Sequence, residues 1–120
     1  MYLILFVLHD SSKLEEVINA WNNAGVCGIT ILLSTGYHRI LKSNILQDDL
    51  PLIFNLEDIL QHEESTNRTM FSVVKDEATV DKVVEATEAL VGNLNLPNTG
   101  MLSVLPVIRG YGLDRELPNT

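Results

Sequence analysis

The sequence repeats one pattern twice, and this repetition restricts the fold more than any other feature. Each half has an apolar run of strand length, then apolar residues at helical spacing, then a second strand-like run. The helical residues align at one constant offset, which matches Leu14, Val17, Ile18 and Ala20 with Val80, Val83, Val84 and Ala86. The pattern predicts an α+β domain of ferredoxin-like βαββαβ topology, with a four-stranded antiparallel sheet and two helices on one face.

Local signals predict where the strands and helices begin and end. Runs with strand character cover residues 2–8, 28–34, 68–75 and 101–108. The first helix is predicted to begin at a capping box formed by Ser12 and Glu15 and to end near Gly25. The second helix is predicted to end near Gly92.

Two segments lack such patterns. Residues 37–67 are predicted to form a long irregular loop with a candidate short helix, because Pro51 disfavours a central strand there. Residues 109–120 are predicted to be a C-terminal tail. The whole chain, residues 1–120, is therefore predicted to be one domain with a long loop of the kind that often carries function.

The first and fourth strands carry apolar residues toward both faces of the predicted sheet. The alternating sets are Leu3, Leu5 and Val7 against Ile4, Phe6 and Leu8, and Met101, Leu105 and Val107 against Leu102, Val104 and Pro106. Two helices cover only one face, and monomers seldom tolerate a large exposed apolar patch on the other. We therefore expect the second face to be buried between copies in a closed homo-oligomer.

The charge and cysteine content exclude several classes of partner. The 120 residues carry a net charge of −8, which repels phosphate backbones and anionic membrane surfaces. The apolar N-terminal run is too short for a membrane span and lacks a cleavage site. Cys27 is the single cysteine, so a reducing compartment is expected. We predict a cytoplasmic protein with no nucleic-acid binding and no membrane insertion.

The residue pattern indicates neither a catalytic centre nor a metal site. His9, His38 and His62 are far apart in sequence and form no Cys/His cluster. His9, at the end of a strand, is interpreted as a structural residue. Cys27 has no basic neighbours and is expected to be a small buried hydrophobe rather than a nucleophile. The sequence therefore predicts a protein that is not an enzyme.

Two turns that contain glycine are the candidate ligand site. The candidate ligand-binding residues are Gly36, Tyr37, His38, Arg39, Asn98, Thr99, Gly100 and Arg109. Backbone N–H groups at glycine turns form anion-binding concavities, and arginines add charge that pairs with phosphate. The two turns are expected to come close together at a sheet edge or across a subunit boundary. The alternative interpretation, two ordinary turns, remains open because spacing alone does not decide between them.

Segments in order along the chain resemble the P-II nitrogen-regulatory family, and they cover most of the chain outside the loop and tail. KLEEV at 13–17 and AGVCGIT at 24–30 resemble that family's first helix and the approach to its second strand. FSVVKDE at 71–77 and VDKVVEA at 80–86 resemble its third strand and second helix. GMLSVLPV at 100–107 resembles its fourth strand.

This resemblance implies a homotrimer whose sheets face inward. It also implies that a small-molecule effector, an adenine nucleotide in that family, binds in the clefts between subunits. The loop over residues 37–67 would then report the ligand state to a protein partner. The family is one of regulators rather than enzymes.

Several positions depart from the family pattern. His38 stands where the family has a second glycine, and Ile40 stands where it has glutamine. Met101 replaces a lysine that pairs with phosphate, and losing one such contact costs on the order of 1.5–3 kcal/mol. Of the family's paired basic residues after the fourth strand, only Arg109 is present, and the loop has no tyrosine beyond Tyr37 for uridylylation. We therefore expect weak or absent binding of ATP, and three alternatives stay open for the cleft: a less charged nucleotide, another small effector, or no ligand.

Two other functions fit the same fold. A divalent-cation-tolerance-type trimeric binding module would respond to metals, and the small number of metal-ligating residues counts against it. An acylphosphatase-like hydrolase needs an arginine-bearing phosphate loop after the first strand, where this chain has HDSS at 9–12.

Overall fold

A four-stranded antiparallel sheet and two helices make up the part of the chain that the computed structural model describes, residues 1–36 and 67–113. The strands are β1 (Tyr2–Leu8), β2 (Thr30–Ser34), β3 (Asn67–Val74) and β4 (Gly100–Pro106), and the helices are α1 (Leu14–Asn23), preceded by a 3-10 turn at Ser11–Lys13, and α2 (Glu77–Val91). The strand order across the sheet is β2-β3-β1-β4. The predicted α+β class is confirmed, and the arrangement is compatible with a ferredoxin-like fold. The connection from β2 to β3 lies outside the described residues, so the full βαββαβ topology remains a prediction.

Strand β1 lies at the centre of the sheet and has the bounds that its apolar run predicts. It pairs antiparallel with β3 on one side and with β4 on the other. Ile4, Phe6 and Leu8 are completely buried, whereas the residues between them are only half-buried. The alternation follows from the strand pleat, which sends successive side chains to opposite faces. The predicted division of β1 into two apolar faces is therefore confirmed.

Both helices pack on the face of the sheet that holds the even-numbered residues of β1. The apolar stripe of α1 buries Val17 and Trp21, and that of α2 buries Val80, Val83 and Thr87. The apolar members join Ile4, Phe6, Leu8, Met70 and Val74 in one core. The prediction that the helices share one face is borne out among the described residues. We call this face of the sheet the helix side.

The start of α1 differs from the predicted capping box. Asp10, rather than Ser12, provides the capping oxygen, because its Oδ1 accepts from the Ser12 backbone N–H over 3.1 Å and from the Ser12 hydroxyl over 2.6 Å. Ser12 lies within the 3-10 turn, and α1 begins at Leu14 without a side-chain cap. The Ser12 hydroxyl donates its hydrogen bond to the Asp10 carboxylate. A capping box between Ser12 and Glu15 therefore does not form. That prediction is wrong.

The ends of both helices agree with their glycine signals. Gly25 follows α1 with φ of +107°, and Gly92 follows α2 with φ of +91°. Asp76 begins α2, with its Oδ1 accepting from the Thr79 backbone N–H over 2.8 Å. The ammonium group of Lys13 donates to the carbonyl of Leu90 over 3.0 Å, which ties the start of the first helix to the last turn of the second.

The remaining boundaries shift by one or two residues from their predicted positions. β2 starts at Thr30 rather than at residue 28, β3 starts at Asn67, and β4 spans Gly100–Pro106. Residues 107 and 108, predicted as the end of β4, and residues 109–113 of the predicted tail contain no helix or strand. Asn67, predicted as the last residue of the loop over 37–67, is instead the first residue of β3. The rest of that loop, residues 37–66, and residues 114–120 lie outside the described residues. In the described ranges neither helix is long and apolar enough to cross a membrane.

Candidate functional site

The face of the sheet opposite the helices is a continuous neutral surface. Residues directly opposite one another on neighbouring strands share a face, so the register defines this surface as three rows. The rows are Leu3–Val73–Leu105, Leu5–Phe71–Thr30–Ser103 and Val7–Thr69–Leu32–Met101. We call this surface the open face. None of its positions holds an ionisable residue, although the chain carries a net charge of −8.

The exposed residues of the open face are mostly large and apolar. Met101 is 56% exposed, Leu32 51% and Leu105 45%, all from the two outer strands. The hydroxyls of Ser34 and Thr69 hydrogen-bond to each other over 2.7 Å, so these polar groups satisfy one another. Neither described helix packs on this surface. A surface of this composition favours burial against another neutral apolar surface.

The two outer strands extend beyond the cover that the helices provide. Ile31 and Leu33 of β2 lie on the helix side, opposite Met70 and Arg68, yet they are 40% and 47% exposed. Val104 of β4 lies on the same side, opposite Ile4, and is also exposed. The helices therefore cover the central strands β1 and β3 and leave much of both outer strands exposed, although Leu102 of β4 packs against the core.

Gly36 and Gly100, the described glycines of the two candidate turns, lie at the same end of the sheet but on opposite edges. One row of paired residues crosses all four strands at this end of the sheet. From β4 to β2 it consists of Gly100, Leu8, Arg68 and Leu33. Three strand spacings of about 4.8 Å separate the outer members of this row, or about 14 Å. Gly36 follows β2 at the far edge. Within one chain Gly36 and Gly100 therefore lie at opposite edges of the sheet, and the meeting of the two turns across a subunit boundary remains a prediction.

Packing within the chain explains the glycine at the second turn. Gly100 has φ of +139°, and a Cβ there would lie 2.6 Å from the carbonyl oxygen of Val7 and 2.7 Å from the ring of Phe6. Asn98 has φ of +65°, and Thr99 Oγ1 donates to the Leu96 carbonyl over 2.9 Å. These contacts account for the glycine at position 100 from packing within the chain alone, and ligand binding at residues 98–100 stays a prediction. At Gly36, by contrast, no described atom lies within 4 Å of a Cβ position.

Arg109 lies at the opposite end of β4 from Gly100. The strand advances six residues from Gly100 to Pro106, which at about 3.4 Å per residue is about 20 Å. Arg109 is exposed beyond that end. The structure therefore separates these two predicted site residues within one chain. Tyr37, His38 and Arg39, the other predicted members, lie outside the described residues.

The single cysteine is exposed, which corrects the expectation that it is buried. Cys27 Sγ donates to the Gly25 carbonyl over 3.8 Å. Its neighbour Val26 instead points into the core and is 2% exposed. His9 is half-buried directly after β1. Across residues 1–36 and 67–113, no group of three or more His, Cys, Asp or Glu residues is placed to hold a metal ion.

Two carboxyl groups have a lowered pKa, and both belong to helix starts. The pKa of Asp10 is lowered first by the hydrogen bond from the Ser12 hydroxyl and then by that from the Ser12 backbone. The pKa of Asp76 is lowered in the same way by the hydroxyl and backbone of Thr79. Capping hydrogen bonds to the charged form explain both shifts. These carboxylates therefore serve helix capping, and their pKa values do not mark a reaction centre.

Sequence reasoning missed a shallow groove between the two helices on their outer surface. Small side chains from facing helical turns leave space between α1 and α2, and Lys82 and Glu85 border it. Its lining includes Ala20, Ala24, Ala86 and Ala89. The only sequence signal for this groove is the spacing of alanines three or four residues apart in and just after the helices. Such spacing is common in closely packed helices and does not by itself predict a groove.

Comparison with models of known protein families found no match to this chain, and comparison with curated proteins found none either.

Proposed function

We propose that this chain is a P-II-like regulatory protein, a homotrimer of ferredoxin-like βαββαβ domains acting in the cytoplasm. In this proposal a small effector binds between subunits, and residues 37–67 signal the bound state to a protein partner. The observation that carries it is the open face, a charge-free apolar surface on a strongly acidic chain. The chain segments that resemble the P-II family give the proposal its functional content.

The composition of the open face favours copies of the same chain as its cover. A net charge of −8 on each copy opposes association through most of the surface. The open face brings no like charges together, so two such surfaces meet without electrostatic cost there. Burial of Leu32, Met101 and Leu105 against equivalent residues would remove apolar area from water. In a closed, symmetric assembly of three copies, the open face of every copy is buried and none is left exposed.

Assembly also supplies what one chain lacks for ligand binding. Gly36 and Gly100 lie at opposite edges of the sheet, whose outer strands are about 14 Å apart. An edge of one subunit beside an edge of the next would therefore join them in one cleft. Arg39 would add positive charge for an anionic effector. Arg109 lies beyond the far end of β4 from Gly100 in the same chain, so it could add charge there only from another copy. An adenine nucleotide is the candidate, with Met101 in place of a phosphate-pairing lysine arguing for a less charged one. Binding would favour one of two states of residues 37–67, which the partner reads.

The first test is the mass in solution. Light scattering on the purified chain at micromolar concentration should give three times the chain mass of 13.4 kDa. A mass of one chain would overturn the homotrimer and with it the proposed cleft. A stable dimer would retain burial of the open face but would contradict three-fold assembly.

The second test identifies the effector class. Thermal unfolding is measured with ATP, ADP, AMP, cyclic nucleotides, bicarbonate and divalent metals. A ligand at one hundred times its dissociation constant stabilises the native state by about 2.7 kcal/mol. We expect a nucleotide to raise the melting temperature of the wild type and of Lys82→Ala, a control that removes an exposed cation from α2, but not of Arg39→Ala. A response to metals alone would instead favour the divalent-cation-tolerance-type module.

A further inference from the structure

We draw no further inference here: the strongest candidate, the edge strand β2 with Ile31, Leu32 and Leu33 exposed on both sides of the sheet, carries nothing, because nothing in the residues that the structure describes shows what covers it.

Discussion

Trp21 Nε1 donates a hydrogen bond to Thr87 Oγ1 over 2.9 Å, and both side chains are completely buried. The threonine hydroxyl donates in turn to the Val83 carbonyl over 2.7 Å. These two hydrogen bonds connect the helices in the middle of the core. The ring centroid of Trp21 also lies 6.3 Å from that of Phe6 there. The indole N–H of Trp21, the largest fully buried side chain among the described residues, is thus satisfied at the interface between α1 and α2.

We predict that Thr87→Val lowers the free energy of unfolding by about 1–3 kcal/mol, because it leaves the buried indole N–H without an acceptor. Urea denaturation measures the change. Thr87→Ser keeps the hydroxyl and should retain most of the hydrogen-bond contribution. In a Trp21→Phe background the cost of Thr87→Val should shrink, since no N–H remains to be satisfied. An equal cost in both backgrounds would show that the hydrogen bond contributes nothing.

Gly100→Ala should destabilise the fold whether or not the turn binds a ligand. The added methyl group would meet the Val7 carbonyl and the Phe6 ring, and the φ of +139° is unfavourable for alanine. Strain of this kind costs on the order of 1–3 kcal/mol. Gly28→Ala is the matched control, because no atom of the described residues other than its chain neighbours lies within 4 Å of its Cβ position. Similar denaturation midpoints for both variants would contradict the packing explanation.

Asp76 should make stability depend on pH at the acidic end of the range. Hydrogen bonds from Thr79 lower its pKa in the folded state below the ordinary value of 3.8. The carboxylate therefore contributes stability above pH 3.8, and this contribution is lost as the pH falls through the lower folded pKa. Asp76→Asn keeps a capping oxygen that does not titrate.

The stability difference between wild type and Asp76→Asn, measured by denaturation from neutral to acidic pH, should thus decrease as the pH falls. Asp81→Asn, at an exposed position inside α2, serves as the control. A difference that stays constant with pH would rule out the capping carboxylate as the titrating group.

Leu105→Glu should dissociate the proposed assembly. Leu105 is 45% exposed on the open face, so the folded subunit tolerates a charge there, whereas an interface would bury it unpaired. An unpaired buried charge costs several kcal/mol. Light scattering should show the mass of one chain, with an unchanged circular dichroism spectrum. Ala89→Glu adds the same charge at an exposed position on α2 and should leave the mass in solution as in the wild type. Retention of the full mass by Leu105→Glu would place the interface elsewhere.

Features set by residues close together in sequence were predictable. The period-two pattern of β1 gave its bounds and both of its faces, and the helical spacing of Val17 with Trp21 gave the buried side of α1. Gly25 and Gly92 marked the helix ends because their positive φ is a local requirement. The paired strand–helix–strand halves then allowed few arrangements of the sheet.

Features set by distant contacts were not predictable. The need for glycine at position 100 arises from its approach to Phe6 and Val7, which depends on the pairing of β4 with β1. The exposure of Cys27 depends on how a connection leaves α1, and composition does not encode this. The separation of Arg109 from Gly100 follows from the direction of β4, so nearness in sequence gave no guide to nearness in space.

The pleat of β1 places different structural demands on alternate residues of this strand. Changes at Ile4, Phe6 or Leu8 disturb the interior of the single subunit, whereas changes at the half-buried Leu3, Leu5 or Val7 act mainly on the open face. If the proposed assembly forms, substitutions at every second position of β1 would therefore strengthen or weaken association while the core of each subunit is kept.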